Sequence, residues 1–194
     1  MPNGAVCKKC EERYGLSRLI WAAPYHDPLV KNLIRAFKYQ YVKELSLPLG
    51  ELLIKSLKTF NFGLLTFNSV VVPIPLHKRK LRERDFNQAE LLAQEVANYF
   101  SIPLEKDVLN RKKFTLAQAK IKDFEKRKEN IKDIFEISPE FIKKCASQNQ
   151  NLLKDKIIIL VDDVSTTGAT LSEAAKVLMR AGAKEVWGLV IARG

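Results

Sequence analysis

Residues Lys156–Thr170 read KIIILVDDVSTTGAT, and this stretch decides the fold. Ile157–Val161 is an unbroken apolar run, short for a helix and suited to a strand buried on both faces. Two adjacent carboxylates, Asp162 and Asp163, end the run. Ser165, Thr166, Thr167, Gly168, Ala169 and Thr170 then form a turn. Leu171, Ala174, Ala175 and Leu178 follow at helical spacing. A turn that opens into a helix leaves free backbone N–H groups and the positive end of the helix dipole facing an anion. The hydroxyls add donors, and Gly168 permits a tight backbone path. The carboxylates would repel a phosphate, so they suit sugar hydroxyls or a water-bridged magnesium ion. A lone Asp-Ser-Thr cluster reads as a turn and cap. Two acids, four hydroxyls and a glycine within nine residues exceed what a cap needs.

The 194 residues suffice for one domain with a substantial core plus a small appendage. No apolar stretch approaches a membrane span and no signal peptide is visible, so a cytoplasmic protein without membrane insertion is expected. The net charge of +11 suggests a polyanionic partner, either nucleic acid or a multiply phosphorylated small molecule. Surface lysines that merely confer solubility are the plain alternative. Cys7, Cys10 and Cys145 are an odd number, which argues against a disulfide scaffold. Cys7 and Cys10 form half of a zinc-ribbon pattern, and a structural zinc site needs four ligands.

Residues 1–18 are polar and expected to be loosely ordered. Leu19–Tyr25 reads as a strand. Asp27-Pro28 is a helix start, followed by a helix over Leu29–Tyr39 with Leu29, Leu33, Ile34 and Phe37 on its apolar face. Lys31, Arg35 and Lys38 align on the other face, as a solvated side or a basic track. Pro48–Phe60 is a second helix, with Leu49, Leu52, Leu53 and Leu57 inward. Val70–Val72 is a short buried strand that runs into Pro73-Ile74-Pro75. Lys78, Arg79, Lys80, Arg82 and Arg84 then put five cations into seven residues. A basic loop after a central strand sits at the ligand-binding edge of an open α/β sheet. Phe86–Phe100 is helical, with Phe86, Ala89, Leu92, Ala93 and Val96 buried. Glu105–Leu109 reads as a short strand, Arg111-Lys112-Lys113 adds cations, residues 115–132 read as a charged helix, and Asp133–Ile137 alternates like a strand. Ser138–Lys154 is polar. Strand 157–161, helix 170–181 with Gly182 at its end, and strand 186–191 complete the chain. Strands alternating with helices predict βαβ units and a parallel sheet.

Taken together, the motifs resemble the ComF family of competence-associated proteins, predicted phosphoribosyltransferases. The matching residues occur in order: Ala36–Tyr39, Val72–His77, Arg84–Ala89, Leu109–Arg111, Gln118, Arg127 with Asn130, and Val161–Thr170. The resemblance covers residues 19–194, with 1–18 as a remnant of a zinc-ribbon-like segment. It implies a type I phosphoribosyltransferase fold, an α/β architecture with an open, mainly parallel twisted sheet flanked by helices and a small N-terminal helix and strand hood. It further implies phosphoribosyl pyrophosphate (PRPP) as ligand with Mg2+. Asp162 and Asp163 would hold the ribose and residues 165–170 the 5-phosphate. Pro75, Leu76, His77, Lys78 and Arg79 would hold the pyrophosphate. Arg84, with Arg79 and Arg82, would offset leaving-group charge beside the two acids. Lys80, Arg82, Arg84, Asn87, Gln88 and Lys38 would serve a lid or contact DNA. Two departures stand out. The family glycine before Phe86 is Asp85. Members often carry four N-terminal cysteines where this chain has only Cys7 and Cys10, so zinc is not expected here.

Three function classes follow. One is a PRPP-dependent transferase whose nitrogenous acceptor the sequence does not select. A second, implied by the family's link to DNA uptake, is a single-stranded-DNA-binding competence protein whose PRPP site is regulatory or vestigial. A purely structural partner of the competence machinery is a third.

Overall fold

The computed structural model describes residues 15–59, 68–112, 133–149 and 151–194. In chain order the elements are β1 (Arg18–Pro24), α1 (Pro28–Tyr39), α2 (Ser46–Lys58), β2 (Ser69–Pro73), α3 (Lys78–Arg84) and α4 (Gln88–Phe100). They continue with β3 (Leu109–Arg111), β4 (Phe135–Ile137), α5 (Pro139–Ser147), β5 (Ile157–Ser165), α6 (Ala169–Arg180) and β6 (Glu185–Arg193). The main sheet has the order β1-β6-β5-β2 and every pairing in it is parallel. β3 and β4 form a separate antiparallel pair.

The sheet is buried on both faces, as the apolar runs in β2, β5 and β6 require. Side chains alternate between two cores. Val71, Ile159, Val161, Leu189 and Ile191 pack with α1, α2 and α4 through Phe37, Leu53, Leu57, Leu92 and Val96. Val70, Val72, Ile158, Leu160 and Val190 pack with α6 through Leu171, Ala174, Ala175 and Leu178. The helices after β2 and after β5 therefore lie on opposite faces. A crevice opens between two such strands at their carboxyl ends.

The N-terminal strand and helix, expected as a small hood, are joined to this sheet. β1 is an edge strand paired with β6, and Ser17 N–H already donates to Val186 O at 2.9 Å. Leu16 is buried, so the chain enters the core before residue 18. α1 starts as its sequence dictates: Asp27 accepts hydrogen bonds from Leu29 N (2.8 Å) and Val30 N (3.2 Å), with Pro28 in the first turn.

Several expectations need correction. Val30, not Leu29, completes the inner face of α1, and Leu29 is 68% exposed. In α2, Ile54 is buried and Leu52 lies at the surface. The basic segment is not a loop but the short helix α3, none of whose residues is buried. The strand foreseen over Glu105–Leu109 lies at Leu109–Arg111. The polar segment after Ser138 holds α5, capped where Ser138 Oγ accepts from Phe141 N at 3.0 Å. It buries only Phe141, too sparse a pattern to read from apolar periodicity. Cys7, Cys10, Gln118, Arg127, Asn130 and the charged helix over 115–132 lie outside the described residues.

Candidate functional site

β5 runs on past its apolar segment, and its pairing with β6 continues to Ser165↔Arg193. Asp162 and Asp163 are therefore strand residues, not turn residues. Alternation sends them to opposite faces: Asp163 to the face of Val161 and α1, Asp162 to the face of Leu160 and α6.

Each acid has one oxygen engaged. Asp162 Oδ1 accepts from Asp163 N–H at 2.8 Å. Asp163 Oδ1 meets Lys38 Nζ at 2.7 Å, with side chains 9% and 20% exposed respectively. Burial works against the Lys38 charge, but the Asp163 carboxylate in contact outweighs it, and the amine is held above its usual pKa. Burial and the Asp163 charge raise the Asp162 carboxyl to about 7, against the pull of Lys38, the Asp163 N–H and Arg111.

The turn after β5 is governed by Gly168, with φ +74°. A Cβ there would come no nearer than 3.9 Å to a neighbour, so the need is for the left-handed backbone and not for space. Thr167 Oγ1 accepts from Ala169 N at 3.4 Å as α6 begins. Asp162, Ser165, Thr166, Gly168, Ala169 and Thr170 line a small polar dent at the N-terminus of α6.

This dent borders a cleft of about 400 Å³ and shares Asp162, Thr166 and Thr170 with it. The cleft is otherwise rich in cations. Lys80, Arg84 and Arg111 line it, and Lys31, Arg35 and Lys38 come from α1. Six cationic side chains thus face two carboxylates, a balance that suits an anionic ligand. Burial, then the charges of Arg111, Arg84 and Lys38, lower the pKa of Lys80. Burial lowers that of Arg111 while Asp162 opposes the shift. A larger hollow of about 570 Å³ beside α5 is mostly apolar and, among the described residues, carries no charged group and shares none with the cleft.

The structure sorts the basic segment. Lys80 and Arg84 line the cleft; Lys78, Arg79 and Arg82 do not, and all three are exposed. Arg79 pairs with Glu83 at 3.2 Å. Arg84 is held in place: Nη1 donates to Gln88 Oε1 at 3.0 Å, and its guanidinium lies 5.2 Å from the Tyr39 ring centre. Gln88 is 1% exposed, and its Nε2 has no partner among the described residues. Asn87 caps α4 by accepting from Ala89 N (3.2 Å) and ties back to Ile74 O (3.0 Å). His77 caps α3 by accepting from Arg79 N at 3.2 Å. Leu76 reaches the cleft lining, whereas Pro75 does not.

Lys38 departs most from expectation. Grouped with lid and DNA contacts in the sequence, it is folded inward onto Asp163. Arg111 reads in the sequence as one of three cations after a strand and as the end of the Leu109–Arg111 match, with no site role attached. Its place beside Asp162 depends on the β3–β4 pair, where Asn110 Nδ2 donates to Glu136 Oε1 at 3.1 Å. Asp85 takes the family glycine's place with φ 63°, the left-handed conformation a glycine would adopt freely, and pairs with Lys43 at 3.1 Å.

Magnesium fits this donor set only as a shared ligand. Among the described residues no group of three or more His, Cys, Asp or Glu side chains converges. Magnesium keeps several waters and binds through one or two carboxylates together with substrate phosphates, which Asp162 and Asp163 satisfy.

Comparison with known proteins agrees with this geometry. The phosphoribosyl transferase domain matches residues 87–193, more than half of the chain. Competence protein F of Haemophilus influenzae is 29% identical over 187 residues, 94% of this chain and 77% of that protein. DNA utilization protein YhgH of Escherichia coli is 29% identical over 88% of this chain and 70% of its own length. Competence protein ComFC of Bacillus subtilis is 37% identical over 114 residues, 58% of this chain and 39% of that protein. The parallel sheet, the acid pair at the end of β5 and these likenesses agree: the chain belongs to the phosphoribosyl transferase domain family, as a member of ComF type.

Proposed function

We propose that the cleft binds PRPP and that the protein transfers its phosphoribosyl group. The observation that carries this is the set of groups gathered in one cleft. The acid pair at the end of β5, the half-buried cations Lys80, Arg84 and Arg111, and Thr166 and Thr170 from the turn at the N-terminus of α6 all line the same cleft. Asp162 and Asp163 accept hydrogen bonds from the ribose hydroxyls. The 5-phosphate sits in the dent lined by Ser165, Thr166, Gly168, Ala169 and Thr170, in the turn that also carries Thr167. Backbone around Pro75, Leu76, His77, Lys78 and Arg79 follows the pyrophosphate, whose charge Lys80 and Arg84 offset.

In the reaction, the anomeric C–O bond breaks and pyrophosphate leaves with the electron pair. A nitrogen lone pair of the acceptor forms the new bond to that carbon. Positive charge grows on the ribose ring as negative charge grows on the leaving group. The acids stabilise the first and the cations the second. Bound magnesium would supply further charge neutralisation on the pyrophosphate. Arg84, seated between Tyr39 and Gln88, is the chain's candidate catalytic cation.

Calorimetric titration of PRPP with magnesium into the wild type and into an Asp162→Asn/Asp163→Asn variant tests the reading. Micromolar binding, lost by at least about a hundredfold in the variant, is expected. A folded wild type that does not bind PRPP overturns it.

A second reading has its own observation. Exposed Lys31, Arg35, Tyr39 and Tyr41 lie on or just beyond α1, with three of the four also lining the cleft mouth. Cations interleaved with aromatics suit single-stranded DNA, and relatives are named for competence and DNA utilization. DNA affinity should then fall steeply with salt. Binding to DNA that ignores both salt and a Lys31→Ala/Arg35→Ala variant would remove this reading.

A further inference from the structure

We propose that Lys38 is the built-in counter-ion of the acid pair: a positioning residue that stays on Asp163 when PRPP binds and does part of the work of a divalent ion. This rests on the PRPP reading of the cleft.

Three observations carry it. First, Lys38 Nζ contacts Asp163 Oδ1 at 2.7 Å in a half-closed setting, where an ion pair is screened little by solvent. Second, the oxygens are shared out. Asp163 Oδ1 is taken by Lys38 and Asp162 Oδ1 by the Asp163 N–H. No hydrogen bond or ion pair among the described residues uses Oδ2 of either acid. A ribose diol needs two acceptors, and this arrangement offers one from each carboxylate without displacing the lysine. Third, Lys38 is anchored by its helix. Phe37, next to it, is fully buried and packs on Phe86 with ring centres 5.8 Å apart.

Two adjacent carboxylates repel each other and any nearby phosphate. A divalent ion ordinarily relieves this. Here an ammonium already neutralises one of the two, and no third His, Cys, Asp or Glu side chain among the described residues joins them to complete a metal cage. Magnesium is then needed mainly by the pyrophosphate.

The test is the metal dependence of PRPP affinity, measured by calorimetry on the full chain as wild type, Lys38→Met and Lys38→Arg, in magnesium and in EDTA. Thermal melts confirm that each is folded. The wild type should lose about tenfold in affinity without magnesium. Lys38→Met should lose at least about a hundredfold, and Lys38→Arg should follow the wild type. Equal metal dependence in wild type and Lys38→Met would reduce the lysine to a structural tie. Tighter binding by Lys38→Met would make it a plug that the ligand expels. Wild-type binding that disappears in EDTA also overturns the proposal. If Lys38→Met does not fold, Lys38→Gln takes its place in the comparison. Failure of the PRPP reading itself looks different: no form binds PRPP even in magnesium, which overturns both.

Discussion

The two arms of the cleft leave neighbouring strands and are built in opposite ways. β2 and β5 pair in register from Ser69↔Ile157 to Pro73↔Val161. Beyond that point the acid arm stays in the sheet, paired with β6 through Asp162↔Val190, Val164↔Ala192 and Ser165↔Arg193. The basic arm leaves at once. Ile74 N–H still donates to Val161 O at 2.9 Å, then Pro75 turns the chain into α3, which buries no side chain. The acid arm is fixed by strand pairing and two cores. The basic arm is tied to the rest of the molecule by side-chain contacts such as Arg84 with Gln88 and Tyr39. Groups that orient a sugar need fixed positions, whereas groups that meet a leaving anion can sit on a segment that moves.

The sharpest way to break this comparison is to cut one side chain beneath each arm. Leu160, fully buried in β5, should cost about 3 kcal/mol when changed to Ala. Leu81, 42% exposed in α3, should cost about 0.5 kcal/mol or less. Urea melts measure both, and similar losses would mean that α3 is as firmly held as the strand.

A smaller effect concerns pH. Asp162 titrates near 7 in the folded chain against an ordinary 3.8. Below both values it is protonated in either state and does not affect stability. Between them the folded state keeps a proton that the unfolded state releases, so stability falls as pH rises, and the loss is complete above about 7. Asp162→Asn should therefore gain about 2 kcal/mol at pH ~8 and almost nothing at pH ~4. Parallel melting curves for the two proteins across that range would show that the acid arm is relaxed rather than strained.

The smallest effect belongs to the hinge after α3. Asp85 holds φ 63°, and its exposed pair with Lys43 contributes little. Asp85→Gly should gain about 0.5 kcal/mol, the relief of a left-handed residue less the added freedom of the unfolded chain. A clear loss of stability in denaturant would show that Lys43 restrains the basic arm.

The sequence by itself determined the elements whose cause is local. The apolar run of β5, the cap at Asp27-Pro28, the spacing of Leu171, Ala174, Ala175 and Leu178, and Gly168 before α6 each dictate a backbone state through nearby residues alone. α5 escaped notice because one buried phenylalanine gives no periodic signal. The site was legible as a set of acids, hydroxyls and cations, but not as an arrangement. Lys31, Arg35 and Lys38 share one side of α1 and looked equivalent. The way α1 packs on the sheet leaves the first two exposed and drives the third onto Asp163. Likewise, five cations within seven residues gave no hint that, of them, Lys80 and Arg84 alone would enter the cleft, or that Arg111 would join them. Periodicity tells which side chains share a face, while depth and partner follow from how distant elements pack. Only the tertiary structure decided those.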